Sequence, residues 1–164
     1  MTVKASRAVK VAVVAVFSAL CAALTLMTRV PSPTGGYTHV GDAAIYVAAL
    51  LFGPYIGLLV GLIGPVAADL VVGYPRWYVT LLAHGLQGAV AGIGAGRRTW
   101  LQAVIAFVAG VVMSLTYFAV NVYIKGPAPA LVSLVRDVFG QTLVSVIIAV
   151  PVVKAVERSG VLRR

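Results

Sequence analysis

Between Gly35 and Gly92 three apolar segments follow one another with almost no linker, and polar residues gather only near certain segment ends. Tyr37, His39 and Asp42 come first, then Asp69, Tyr74, Arg76 and Trp77, then His84 and Gln87. If the segments cross a membrane in turn, these groups collect on one side of it. The rest of the chain is of the same kind. It is 61% hydrophobic and only 10% charged, against roughly 25% charged in soluble domains. Several runs approach the ~20 residues that carry a helix across a bilayer. A water-soluble fold is excluded, and the expectation is an all-α integral membrane protein, with residues 1–164 forming a single six-helix membrane domain.

Glycine and proline mark the breaks. Helix one is expected over about Ala8 to Val30, followed by a loop containing Pro31, Pro33, Gly35 and Gly36. A short helix two covers Asp42 to Phe52 and is broken by Gly53-Pro54. Helix three runs from Tyr55 to Val72 with a kink at Pro65, and helix four from Trp77 to Ala95. Helix five covers Trp100 to Ile124. After a Gly126-Pro127-Ala128-Pro129 loop, helix six covers Leu131 to Val156. The basic N-terminus resembles a signal peptide, but the run from Val11 to Thr28 is long for one and no small-residue cleavage site follows. A retained first membrane helix is expected.

The net charge of +9 does not point to nucleic acid, because the basic residues flank apolar segments and form no patch. Six crossings put both termini on one side. That side carries Lys4, Arg7, Lys10, Arg97, Arg98, Lys154, Arg158, Arg163 and Arg164, and the other carries Arg29, Arg76, Lys125 and Arg136. The excess places both termini in the cytoplasm. The single cysteine, Cys21, lies in an apolar run and reads as a small buried packing residue.

With this topology Asp69, His84, Gln87, Asn121, Asp137 and Gln141 lie in the outer halves of their helices. Ionisable groups in membrane segments are costly and usually face the bundle interior or a water-filled cavity. A polar cavity open to the outside and closed below by apolar packing is the economical arrangement. Helical spacing supports convergence: His84 with Gln87, Asp137 with Gln141, and Ser114, Tyr117 and Asn121 each share a face. Tyr37, His39, Tyr74, Trp77 and Tyr78 join them from the outer loops. Aromatic walls with a few amide, imidazole and carboxylate groups suit a flat heterocycle.

Plainer readings stand beside these. Asp69 and Asp137 can pair with Arg76 and Arg136. Tyr74, Trp77 and Tyr78 can form an interfacial aromatic belt. His84 has only His39 beside it and no Cys or Glu cluster, so neither metal nor cofactor is expected. Gly53, Gly57 and Gly61, with Gly88, Gly92 and Gly96, let backbones approach closely. Ala15, Ala19 and Ala23 form a flat small-residue stripe for another helix, inside the bundle or in a separate membrane protein. The chain has no phosphate-binding loop and no obvious two-fold repeat, so active uptake would require a partner that hydrolyses ATP. A stand-alone solute carrier and a membrane-embedded enzyme using His84 and Asp137 as acid and base are the rival readings.

The stretch GGYTHVGDAAIYVAALLFGPYIGLLVGLIGPVAADLVVGYPRW, followed by HGLQGAVAGIGAG, resembles the substrate-binding S component of energy-coupling factor (ECF) vitamin transporters, in the branch that includes riboflavin and hydroxymethylpyrimidine carriers. The matching features are Gly41-Asp42, Phe52-Gly53-Pro54 with Gly57, Asp69 with Gly73, and Gly85, Gly88 and Gly92. The resemblance implies six helices with cytoplasmic termini and a scarce vitamin or precursor bound near the outer face. It implies docking through Ala15, Ala19 and Ala23 on a transmembrane coupling subunit, with two cytoplasmic ATPases completing the complex. Relatives often carry Lys where this chain has His84.

Overall fold

The computed structural model describes residues 6–161, so Lys4, Arg163 and Arg164 lie outside the described residues. Six helices account for most of them: α1 (Arg7–Thr28), α2 (Asp42–Phe52), α3 (Pro54–Val72), α4 (Trp77–Gly92), α5 (Thr99–Lys125) and α6 (Pro127–Ser159). Successive helices reverse direction. The starts of α1 and α3 adjoin, the end of α4 meets the start of α3, and the start of α5 meets the end of α6. Both ends of the described chain therefore lie at one end of the bundle.

Helices α1, α3, α5 and α6 are long and apolar enough to cross a membrane. The other two are shorter. The 11 residues of α2 span about 16 Å and the 16 residues of α4 about 24 Å at helical rise, against a hydrocarbon core of about 30 Å. Helix α2 compensates by position. Every residue from Asp42 to Leu50 is buried, so it is the internal axis of the bundle. One side meets Ala91, Ala106, Ala109, Val146, Ala149 and Val153. The other meets Val14, Cys21, Ile56 and Val60. Cys21 is fully buried, as its position in an apolar run suggests.

The breaks follow residue chemistry. Gly53 adopts φ 92° between α2 and α3, a conformation L side chains rarely enter. Pro54 then opens α3 at a position where its missing N–H costs no hydrogen bond. The same logic alters the start of α6. Pro127 and Pro129, expected in a loop, lie in its first turn. Helix α4 ends at Gly92 rather than Ala95, with a turn formed by Gly92 to Arg97. The loop after α1 contains a two-stranded antiparallel hairpin, β1 (Val30–Pro31) and β2 (Tyr37–Thr38).

Helices α3 and α4 cross at backbone contact. A Cβ on Gly57 would stand 2.2 Å from the Gly88 carbonyl oxygen, and one on Gly88 would stand 2.0 Å from that of Gly57. Of the glycine steps seen in the sequence, Gly57, Gly61, Gly88 and Gly92 form the seam of this crossing. A feature without a sequence signal interrupts α6: Asp137–Leu143 is π-helical.

Candidate functional site

The hairpin roofs a polar cavity at the end of the bundle opposite the described termini. Its walls are Tyr37 and His39 from the hairpin segment, Asp69 from α3, Tyr74 from the α3–α4 turn, Thr80 and His84 from α4, Tyr117 and Asn121 from α5, and Asp137 and Gln141 from α6. The π-helical turn carries the last two. Such turns recur at functional sites because they re-aim side chains within a helix. The cavity is small, about 40 Å³. That is room for little more than water, against roughly 300–1,000 Å³ for sites that enclose organic ligands.

Four side-chain bonds hold the roof down. The Tyr37 hydroxyl donates to Asp69 Oδ1. Thr34 Oγ1 bonds Ser133 Oγ at 2.9 Å, Thr38 Oγ1 donates to Gln141 Oε1 at 3.2 Å, and Lys125 Nζ donates to the Gly35 carbonyl at 3.0 Å. Together they reach α3, α5 and α6. Burial, followed by the Asp69 carboxylate, raises the Tyr37 phenol well above its ordinary pKa, so it remains a donor.

Beneath the cavity lies a residue that the sequence groups with the polar side of the bundle, at the opening of helix two, but not with the cavity residues. Asp42 is fully buried. Its Oδ2 accepts hydrogen bonds from Gln87 Nε2 at 2.9 Å and Gln141 Nε2 at 3.0 Å. Its Oδ1 lies 3.3 Å from His84 Nε2 and 3.9 Å from His39 Nδ1. A carboxylate heading an otherwise almost entirely apolar segment was the available signal. Burial pushes His39 down to about 4, with Asp42 opposing the shift, so this imidazole is neutral at pH 7. One nitrogen from each histidine and one Asp42 oxygen lie within 4.8 Å of one another. Asp42 thus supplies a third potential ligand beside the two histidines.

Tyr37, His39, Asp69, Tyr74, His84, Tyr117, Asn121, Asp137 and Gln141 all border the cavity. Two residues expected with them stand apart. Trp77 is 43% exposed and packs edge-on against Tyr78 on the outer surface. Gln87 lies below the cavity, where it also bonds the Tyr46 hydroxyl at 2.8 Å. Asp137 Oδ1 accepts from Arg136 Nε at 2.9 Å and Nη2 at 2.6 Å. Asp69 is not paired with Arg76, which instead donates to Asn121 Oδ1 at 3.3 Å and lies over the Tyr74 ring. Ala15, Ala19 and Ala23 are all exposed, while Val14, Ser18, Cys21 and Thr25 form the buried face of α1.

Apolar helices of spanning length closed around one polar cavity define a membrane-embedded protein of the solute-handling kind. The sequence model described as "ECF-type riboflavin transporter, S component" matches residues 6–158. The chain belongs to this S-component family, which consists of transport proteins rather than enzymes. It is 35% identical over 118 residues to an uncharacterized protein in the gap 3′ region of Pyrococcus woesei, covering 70% of this chain and 79% of that one. It is 40% identical over 68 residues to a UPF0397 protein of Streptococcus pneumoniae serotype 19F, covering 41% of this chain and 37% of that one.

Proposed function

We propose that the chain is the substrate-specificity component of an ATP-driven ECF uptake transporter, binding a vitamin or vitamin precursor in the roofed cavity. The carrying observation is the cavity itself: aromatic and hydrogen-bonding side chains from four helices meet under a hairpin fixed by only a few bonds. Riboflavin, hydroxymethylpyrimidine and similar heterocycles share the required chemistry, a flat ring for Tyr37, Tyr74 and Tyr117 and polar edges for Asn121, His84 and Gln141. At about 40 Å³ the cavity admits none of them until the hairpin rises. The structure therefore corresponds to a form with the hairpin closed over the cavity.

In this reading all six helices cross the membrane, the hairpin faces outward and both termini are cytoplasmic. Arg7, Lys10, Arg97, Arg98, Lys154 and Arg158 at the end opposite the roof support that orientation. The exposed Ala15, Ala19 and Ala23 stripe is available to a coupling subunit, which two cytoplasmic ATPases would drive.

The test is mass spectrometry of small molecules released from gently purified protein, followed by a thermal-shift screen of soluble vitamins. One heterocycle per chain is expected. Asn121→Leu should weaken its binding by at least about tenfold, equivalent to about 1.4 kcal/mol, while leaving the unfolding temperature of the ligand-free protein in place. A protein that binds nothing in the screen, or an Asn121→Leu variant with unchanged affinity, overturns the assignment. Uptake into liposomes holding this chain alone would instead favour a stand-alone carrier.

A further inference from the structure

The contact between Asp42 and His84 poses a problem of charge. His84 Nδ1 lies 3.2 Å from the Thr80 carbonyl oxygen, and a carbonyl can only accept, so Nδ1 carries a proton. In the neutral ring Nε2 is then an acceptor. It faces Asp42 Oδ1, another acceptor, at 3.3 Å. Both atoms are buried and neither has a hydrogen-bond partner. Two acceptors so placed inside an apolar bundle repel each other unless a cation lies between them.

That cation is either a proton on Nε2 or a metal ion held by both residues. A proton needs only those two atoms, whereas the surroundings provide more. His39 contributes a second imidazole, stacked on His84 with ring centroids 6.0 Å apart. Its Nδ1 accepts the Gly41 N–H at 3.1 Å and lies 3.3 Å from Thr25 Oγ1, so ligation through Nδ1 exchanges that hydrogen bond for the ion. Ligand atoms bound to tetrahedral zinc at about 2.0–2.1 Å stand roughly 3.3 Å from one another. The Asp42–His84 separation already has this value, and all three donors lie within 4.8 Å of one another. The Thr80 carbonyl supplies the outer hydrogen bond that typically orients a metal-bound imidazole. His39 and His84 also line the cavity, which gives an ion an entry path and a fourth position open to the cavity.

We propose that His39, Asp42 and His84 form a binding site for a divalent first-row transition ion of the zinc class at the floor of the cavity. Two imidazoles and one carboxylate suit Zn²⁺, Co²⁺ or Ni²⁺ better than Mg²⁺ or Ca²⁺, which favour all-oxygen sites. The site goes beyond the transport reading and does not depend on which organic ligand the cavity takes.

The experiment uses the full chain in detergent, stripped with a chelator, dialysed against Zn²⁺ and assayed for bound metal by elemental mass spectrometry. One ion per chain is expected, with occupancy at limiting zinc reduced at least about tenfold in His84→Gln and in His39→Gln. Co²⁺ in place of zinc should give the intense visible absorption of a low-coordinate nitrogen-ligated site. Should either variant fail to fold, the wild-type cobalt spectrum decides. Failure of the wild type to bind zinc stoichiometrically, a cobalt spectrum of the hydrated ion, or full zinc occupancy in a folded His39→Gln/His84→Gln double variant overturns the proposal. The first of these would leave the proton as the bridging cation. Transport of a vitamin could still be intact in that case, so the two readings fail separately.

Discussion

The two ends of the bundle treat buried polarity differently. At the end holding the described termini, Gln102 donates to Glu157 at 2.9 Å and Lys154 to the same carboxylate at 2.6 Å. Both Glu157 oxygens are occupied, and the ion pair is partly exposed. At the roofed end Asp42, Asp69, Arg76, His84 and Arg136 each keep a buried atom without a hydrogen-bond partner. Among the described residues, these are all the ionisable side chains left so. A fold that leaves single atoms of its ionisable groups unpartnered at only one end is not careless about packing, since an orphaned buried polar group costs about 1–3 kcal/mol. The difference separates a polar cluster that closes an end from one that awaits water, an ion or a ligand.

The sharpest way to break this comparison is to remove the acid at each end. Asp42→Ala strands the amides of Gln87 and Gln141 and removes the carboxylate that faces His84 Nε2. Losing one partner of a buried charged network costs about 3–5 kcal/mol. Glu157→Gln, in a partly exposed pair, should cost about 0–1 kcal/mol. Reversible unfolding of both variants in detergent measures the two values side by side. Equal losses would mean that Asp42 is an ordinary ion-pair residue and that the roofed end is not special.

An intermediate effect is expected where the bundle is held by shape rather than polarity. Gly88→Ala places a methyl group about 2.0 Å from the Gly57 carbonyl oxygen, so α3 and α4 must separate. Overpacking of this kind costs about 1–3 kcal/mol. Because the crossing belongs to the scaffold, its loss should lower unfolding stability without selectively altering the roof. Unchanged stability would show that the α3–α4 seam is loose.

The same division explains what could be read from the sequence. Helix breaks were legible because Gly53-Pro54, Gly73 and Gly126 impose local backbone rules that no tertiary contact can waive. The glycine seam was legible for a similar reason, since close approach needs a missing side chain. Most cavity residues were legible because a polar group in an apolar helix has few places to go. What failed depended on choices between equivalent groups. An aromatic residue at a segment end suits a cavity wall and a bilayer interface equally, and Trp77 took the surface. Gln87 could have faced the cavity, but it found Asp42 across 45 residues of sequence, and spacing within one helix cannot show such a pairing. The π turn at Asp137–Leu143 leaves no periodic mark in seven residues. The prolines of the α6 first turn look the same as loop prolines until the helix start is known.

The smallest effect would test whether the roof moves as a unit separate from the floor. Tyr37→Phe removes the hydroxyl that donates to Asp69 and leaves the bonds through Thr34, Thr38 and Lys125 in place. One hydrogen bond to a charged acceptor contributes about 1.5 kcal/mol or somewhat more, so the open population should rise roughly tenfold. The ring itself remains, preserving the packing against Tyr74 and His39. Hydrogen exchange reports this directly. Amides of the hairpin, and the Val40 N–H that bonds Thr28 Oγ1 at 3.1 Å, should exchange about tenfold faster, while those of α2 keep their wild-type rates. If α2 accelerates equally, opening the cavity also opens the bundle, and the hairpin is part of the scaffold. If only the hairpin responds, the floor built on Asp42 is preformed and the Tyr37–Asp69 bond is one of the latches that decide when it can be reached.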